Sequence, residues 1–464
     1  MNRLICAITA ALLPLAPLHA QELAPDEVSA IDALVTKTLH DSGVPAAEIA
    51  VVRGGEVVLE RGWGKPSDTI ADADPQLPFQ IASNSKQFLA ALMLLLEDDG
   101  KLSLDDTVAK WLPGVTDADR MTLRQLLSHT AGLQDFWPQD YAFAAMEQPV
   151  APAQIVSRWG TRALDYPPGT RWQYSNTGYV VAGMIAEKAG GAPLWQQFEE
   201  RLFKPLGIHP YPLDATNGAG FPQGYHRFAL GPVRAATPPA PGWLWAAGEI
   251  AMNAGELAEW DIARMNRTLL PAADWEEMER PVRLADGTSN GYGLGIYNRT
   301  AGGRRVIDHG GESVGFLSQN TVWPDDRVAI VVLTNADFSG TTAALTSGIA
   351  EIVMPRAAEA QTSEAPRTED ARLAAAALLG GKIDPAQFTD NARYYFTAQV
   401  LADYRASLAP LGPLKAIQPA RPPRLRGGFV NRVFKLTFAK RSLTLSTYAE
   451  PGEHGRWEQF LIGE

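Results

Sequence analysis

The chain has 464 residues, enough for more than one domain and a large core. With 46% hydrophobic and 20% charged residues it reads as an ordinary globular protein, and a net charge of −11 at pH 7 argues against nucleic acid or an anionic membrane surface as partner.

In chain order, the first segment reads as a targeting sequence. Met1-Asn2-Arg3 supplies a positive start, Leu4 to Leu18 is apolar, and Ala20 is a small residue before a cut at Gln21. Residues 1–20 are therefore expected to be a cleavable signal peptide, although Leu18 fits the small-residue pattern poorly. The apolar run is short and broken by Pro14 and Pro17, which argues against an uncleaved anchor. Cys6, the sole cysteine, would leave with it. The expectation is a periplasmic or secreted protein, with no stable membrane insertion after cleavage, no disulfide and no thiol nucleophile.

Residues 26–41 carry apolar positions at helical spacing: Val28, Ile31, Leu34, Val35 and Leu39. Glu48–Val52 and Val57–Gly62, around Arg53-Gly54-Gly55-Glu56, predict a hairpin. Ser83-Asn84-Ser85-Lys86 then opens a strongly apolar helix, Phe88 to Leu96, that stops near Asp98-Asp99-Gly100. A helix-rich section follows from about 104 to 205, with helices expected at Asp106–Leu112, Thr122–Ser128, Pro152–Gly160 and Gly178–Ala189. Proline and glycine make 205–242 irregular. Strands are predicted at Tyr292–Tyr297, Arg304–Asp308, Gly315–Trp323 and Val328–Asn335, the last a continuous apolar run and so a central strand. A helix at 341–354 closes a unit spanning 21–355. Residues 356–370 read as a polar linker. Residues 371–464 read as a small α+β accessory domain without a catalytic motif, with helices at 370–379 and 391–408 and strands near 426–438, 441–448 and 456–462.

The chemistry concentrates in three short motifs. Ser83 and Lys86 form S-x-x-K: a serine in a helix's first turn lies near unpaired backbone N–H groups, and a lysine three residues on returns to the same face. In an apolar wall the amine's charged form is disfavoured, so it can accept a proton. Tyr174-Ser175-Asn176 reads Y-x-N and His309-Gly310-Gly311 reads H-G-G. In this order, and with Leu126 to Leu133, Tyr292-Gly293-Leu294-Gly295 and Gly315-Phe316 as flanks, the chain resembles the serine β-lactamase and penicillin-binding-protein superfamily over roughly residues 28 to 355. The resemblance is to the branch holding class C β-lactamases, D-alanyl-D-alanine carboxypeptidases, D-aminopeptidases and related esterases.

The resemblance implies an α/β (α+β) fold: an antiparallel sheet flanked by helices, plus a helical lobe, with Ser83 at the junction. It implies Ser83 as nucleophile and Lys86 as base or electrostatic activator. Tyr174 is their partner; nearby ammonium is expected to lower its pKa, so that it deprotonates water or protonates the leaving group. Asn176 would bond Lys86 or the acyl amide, and Asn176 or Ser175 would also cap the following helix. His309 stands where many relatives carry the lysine of K-T-G, as a weaker, pH-dependent cation for a substrate carboxylate or carbonyl. Gly310 and Gly311 let a substrate backbone approach. By resemblance, the N–H groups of Ser83 and Glu312 form the oxyanion hole. Asp308 adjoins His309 but points to the opposite strand face, so it is not read as an orienting carboxylate.

Other candidates fare less well. Gly287-Thr288-Ser289-Asn290-Gly291 matches the G-x-S-x-G nucleophile elbow, but lacks the strand before and the helix after that the elbow needs. His129 reads as structural, closing a helix. Histidines 40, 129, 209, 226, 309 and 454 show no metal spacing, so no metal and no cofactor are expected. Trp243, Trp245 and Trp260 either line the cleft or fill core. Glu249 and Met252 stand where the family usually has glycine and serine; if that loop borders the cleft, substrate preference would differ.

The reading is an exported serine hydrolase working through an acyl-enzyme on a small-molecule or peptide substrate. Peptides with D-amino acids come first, then small esters, then β-lactams, with peptidoglycan fragments among the possible partners. The alternatives are a β-lactamase, or a non-hydrolytic penicillin-binding sensor of cell-wall fragments.

Overall fold

The computed structural model describes residues 22–139, 142–354, 364–421, 423–426, 429–452 and 454–463. The expected signal peptide lies outside these residues. The chain divides into two compact units, Met1–Pro355 and Arg356–Glu464.

The first unit is organised by one six-stranded antiparallel sheet: β1 (Ala46–Arg53), β2 (Glu56–Gly64), β3 (Tyr297–Ala301), β4 (Arg304–Ser313), β5 (Phe316–Trp323) and β6 (Val328–Thr334), in the order β2-β1-β6-β5-β4-β3. The β1–β2 hairpin turns on Gly54 and Gly55, both in the left-handed region (φ +67° and +89°) that two-residue hairpin loops require and only glycine enters freely. β6 pairs Ala47↔Thr334 with β1 and Leu317↔Thr334 with β5, and is buried throughout. Its alternation divides the core in two. Val328, Ile330 and Val332 face helices α1 (Pro25–Ser42) and α6 (Thr341–Val353). Ala329, Val331 and Leu333 face α2 (Lys86–Asp98) and α5 (Ala254–Asn266). A strand covered on both faces must be apolar at every position, which is why Val-Ala-Ile-Val-Val-Leu identifies the sheet's centre.

The helical lobe is less regular than expected. Asp106–Leu112 reduces to a 3-10 turn at Val108–Lys110, and Pro152–Gly160 is one α turn followed by a π turn. Thr122 begins α3 (Leu123–Leu127) with a reciprocal cap shared with Gln125, and α4 (Asn176–Gly190) begins after Ser175. The strand expected at Tyr292–Tyr297 does not form; only a bridge joins those two tyrosines. A Cβ on Gly293 would meet the Met278 carbonyl at 2.3 Å, and one on Gly295 the Lys86 carbonyl at 2.7 Å. The glycines let this segment wedge beneath α2, and the strand starts one turn later, at Tyr297.

The second unit packs α7 (Glu364–Leu379), α8 (Asp390–Tyr395) and α9 (Ala398–Leu408) with β7 (Leu414–Pro419), β8 (Arg424–Arg426), β9 (Phe429–Phe438), β10 (Ser442–Ala449) and β11 (Trp457–Gly463). The strand order is β7-β9-β10-β11, with β8 paired to β9. The expected linker is corrected here: helix begins at Glu364, inside 356–370. Glu364 pairs with Arg432 at 2.8 Å, and the Arg367 guanidinium lies 4.0 Å from the Trp457 ring centre, so tertiary partners hold residues whose composition alone suggests solvent. The single helix expected at 391–408 is two, because Phe396 turns into the core and Thr397 caps α9 through Val400 N–H.

Candidate active site

Ser83 sits in a 3-10 turn, Ala82–Ser85, that runs directly into α2. Ala82 is held at φ +47°, a costly conformation for a residue with a side chain. One neighbouring strand, Ile250–Met252, clamps the turn. Phe79 and Gln80 pair with Met252 and Ala251, Ile81 N–H donates to the Ile250 carbonyl, and Ile250 N–H donates to Ser85 Oγ. From Phe79 to Leu94 every residue is buried except Ser83. The apolar helix thus submerges its own first turn and leaves one hydroxyl at the cleft.

Lys86 is fully buried, its Nζ 2.9 Å from Ser83 Oγ, 2.9 Å from Asn176 Oδ1 and 2.6 Å from the Ala247 carbonyl. Burial pulls its pKa from 10.5 down to about 7, with Asp135 opposing the shift. A neutral amine has two N–H donors and one lone pair. Asn176 and Ala247 offer only acceptors, so they take both donors, and the lone pair is left for the Ser83 hydroxyl proton. The S-x-x-K spacing therefore yields a base aimed at one serine.

Asn176 stands at the start of α4, where Ser175 Oγ accepts from Gly178 N–H as the cap. Asp135, which the sequence reading passed over, accepts from Asn176 N–H at 3.0 Å and from its side-chain amide at 3.3 Å. No local pattern in Leu133-Gln134-Asp135-Phe136 marks it; its meaning comes from the distant Asn176.

Two electrostatic expectations are corrected. Tyr174 does not have a lowered pKa: burial pushes it far above the usual 10, and the neighbouring Ser83 hydroxyl offsets this only in part. Lys86 Nζ lies 4.8 Å from the face of the Tyr174 ring instead of beside its oxygen, so the ammonium does little for a phenolate. The Tyr174 oxygen is buried without a well-formed hydrogen bond, a neutral hydroxyl poised at the cleft. His309 is not a cation either. It is 4% exposed, and burial together with Lys86 pulls its pKa to about 3. Its Nδ1 lies 2.5 Å from the Gly310 carbonyl and its Nε2 3.0 Å from the Tyr292 hydroxyl, so neither ring nitrogen is open to a substrate carboxylate.

β4 explains the two glycines. Its pairing with β3 ends at Tyr297↔Asp308, so the β4 edge from His309 to Ser313 is unpaired by β3 and faces the serine turn. A Cβ on Gly311 would lie 2.1 Å from the Ile81 carbonyl, so only glycine lets the strand approach that closely. Gly310 has room for a side chain and faces the cleft. Asp308 points away and pairs with Arg299 at 2.6 Å. The cleft has a volume of about 660 Å³ and gathers Ser83, Asp135, Tyr174, Asn176, His309, Gly310, Gly311 and Glu312. Among the described residues that line it, the charged ones are Asp135 and Glu312, with no lysine or arginine.

The remaining candidates lie elsewhere. Ser289 is exposed in a turn, its Oγ accepting from Gly291 N–H. Trp243 and Trp260 are core. Met252 is buried in the small sheet beside Phe79, and Glu249 lies outside the cleft lining with burial raising its pKa to about 8. Among the described residues no cluster of acids and histidines is arranged to hold a metal ion.

A six-stranded antiparallel sheet with flanking helices, and a serine turn at the edge of a helical lobe, define a β-lactamase/transpeptidase-like fold. The chain belongs to the Beta-lactamase family, whose model matches residues 31–353. It is 26% identical over 373 residues to a D-aminopeptidase of Gluconobacter oxydans, covering 79% of this chain and 70% of that protein. It is 28% identical over 320 residues to a D-aminopeptidase of Brucella anthropi, covering 67% of this chain and 59% of that one. Among solved structures, a D-stereospecific amidohydrolase from Streptomyces sp. superimposes with a TM-score of 0.60 at 29% identity, over 69% of this chain and 97% of that one. The chain is thus a hydrolase-family protein of the β-lactamase fold, related to D-aminopeptidases.

Proposed function

We propose that the chain is an exported serine hydrolase that acts through an acyl-enzyme on small amides and peptides whose D-amino acid carries a free amino group. The observation that carries the mechanism is the 2.9 Å contact between Ser83 Oγ and a buried Lys86 with a pKa of about 7. Neutral Lys86 takes the Ser83 proton as Oγ bonds to the substrate carbonyl carbon, and the N–H groups of Ser83 and Glu312 receive the oxyanion. The C–N bond then breaks and the leaving amine takes up the proton, from Lys86 or through the Tyr174 hydroxyl. Water adds to the acyl-enzyme, giving its proton back along the same route, and Ser83 leaves protonated.

The cleft's charge supports the substrate class. A carboxypeptidase substrate and a β-lactam both present a carboxylate, and neither a neutral His309 nor any lysine or arginine among the described lining residues offers it a partner. Asp135, on the cleft lining, instead suits an ammonium group. Asp135 already accepts two backbone N–H groups, from Asn176 and Trp137, which keeps it in place as an acceptor. The names of the D-aminopeptidase relatives agree with this reading, and small esters remain competent acyl donors because they need only the carbonyl chemistry.

The test is a paired panel: D-alanine p-nitroanilide, its N-acetyl derivative, D-Ala-D-Ala and nitrocefin, assayed with the wild type and Asp135→Asn. The free-amine substrate should have the highest kcat/KM, and the Asn variant should lose most of that preference. Faster turnover of the N-acetyl derivative or of nitrocefin would refute the substrate assignment. A penicillin that labels Ser83 permanently, with no turnover of any substrate, would point to a sensor.

A further inference from the structure

We propose that His129 and Tyr292 are positioning residues that, with His309, form one directed hydrogen-bond chain joining the Tyr174 segment to the Gly310 edge of the cleft. Neither His129 nor Tyr292 lines the cleft. The proposal rests on the serine-hydrolase reading for its catalytic meaning, but the chain itself is a matter of geometry.

The direction of each bond follows from its neighbour. Ser175 N–H can only donate, and it lies 3.1 Å from His129 Nδ1, so that nitrogen accepts. In a neutral ring the proton is then on Nε2, which lies 3.2 Å from the Tyr292 oxygen and donates to it. At the other end the Gly310 carbonyl can only accept, so His309 Nδ1 carries its proton and Nε2 is a lone pair. The Tyr292 hydroxyl, 3.0 Å away, donates to it. Tyr179, packed beside Tyr292, gives its own proton to the Leu127 carbonyl at 2.6 Å. The order is Ser175 N–H to His129 to Tyr292 to His309 to Gly310 C=O; a Tyr292 proton turned to the Tyr179 oxygen instead would leave His309 Nε2 without a donor. Burial holds both imidazoles well below their usual pKa, consistent with neutral rings.

The chain touches the reacting parts at both ends. His129 stacks on Tyr174 with ring centres 4.1 Å apart, and its first donor is the backbone of the residue after Tyr174. Its last acceptor is the carbonyl of Gly310, on the unpaired edge opposite Ser83. His129 itself is pinned. It sits at φ +61°, and its carbonyl accepts from Gln173 N–H at 3.0 Å and Tyr166 O–H at 3.2 Å. A left-handed histidine so heavily tied down is a sign that its surroundings over-determine it.

Nitrogen-15 NMR of histidine-labelled full-length protein reads the chain directly. His129 should be the Nε2–H tautomer and His309 the Nδ1–H tautomer, neither titrating between pH 5 and 9. The opposite tautomer at either ring, or a cationic ring at pH 7, would overturn the proposal whether or not the protein hydrolyses anything. Tyr292→Phe keeps the ring and removes the one hydroxyl that both accepts and donates. Its kcat on p-nitrophenyl acetate, counted per site titrated with a fluorophosphonate, should fall about tenfold, the scale of one ordered buried hydrogen bond, with KM within about threefold. An unchanged kcat per titrated site, in a variant that folds, would equally overturn it. If the variant does not fold, the wild-type tautomers decide.

Discussion

Replacing Lys86 with methionine separates what the lysine does for the reaction from what it does to the fold. Its pKa falls from 10.5 to about 7 on folding, and at ~1.36 kcal/mol per pKa unit that is a penalty of about 5 kcal/mol on holding the ammonium in the folded protein below pH 7. Because the folded value is the lower one, the unfolded chain binds more protons between pH 7 and 10.5. Wild-type stability should therefore rise with pH across that window, and the penalty is nearly gone by pH 10. Methionine carries no such slope. It also leaves Asn176 Oδ1 and the Ala247 carbonyl without their donor, a loss of roughly 1–3 kcal/mol each. At pH 6 the two effects nearly offset, and the variant should be about as stable as the wild type, or more so. At pH 10 it should be the less stable. The wild-type-minus-variant difference should move by about 4 kcal/mol between the two pH values. Urea unfolding followed by tryptophan fluorescence measures this in the first unit, which holds every tryptophan except Trp457. A difference that stays constant within about 1 kcal/mol would falsify the buried, near-neutral lysine.

For the wild type, kcat/KM on a small ester should rise with pH through about 7, as Lys86 loses its proton, and then stay level; a profile already flat at pH 5 would contradict the assignment. No second step should come from His309 between pH 4 and 8, since its ring is already neutral there. Ser83→Ala should reduce hydrolysis to background while Ser289→Ala leaves kcat within about twofold; an inactive but folded Ser289→Ala protein would transfer the role. Gly311→Ala should lower the melting temperature and cut activity at least tenfold, because its Cβ has only 2.1 Å to the Ile81 carbonyl, whereas Gly310→Ala, with nothing nearer than 3.4 Å, should fold normally and raise KM by narrowing the cleft. Equal behaviour of the two variants would refute the close approach of strand and serine turn.

The elements legible in the sequence were those whose partners are near in the chain or whose pattern is uniform: the Gly54-Gly55 hairpin, the buried β6 and the apolar α2. The misses have one cause. Tyr292–Tyr297 has strand-like residues, but its glycines serve packing under α2. Glu364 and Arg367 look solvated, but distant Arg432 and Trp457 order them. At the site, the identities of Ser83, Lys86 and Asn176 carried over into geometry, since three positions along a helix and one cap are local facts. The charge states of Tyr174 and His309 did not, because burial belongs to the folded environment: it keeps the phenol neutral despite the nearby lysine and, together with that lysine, keeps the imidazole neutral. Asp135, Tyr292 and the larger part played by His129 had no local pattern to reveal them.

The open edge of β4 has one more consequence. A row of unpaired strand groups is an invitation to foreign chains, and proteins usually blunt such edges with charge, proline or early termination. Here the edge runs only from His309 to Ser313. A long strand from another protein finds too short a row to pair with, whereas the end of a small peptide needs no more. The same shortness that limits edge-to-edge pairing thus also sorts candidate substrates by size, and would favour short, terminal segments over the interior of a folded protein.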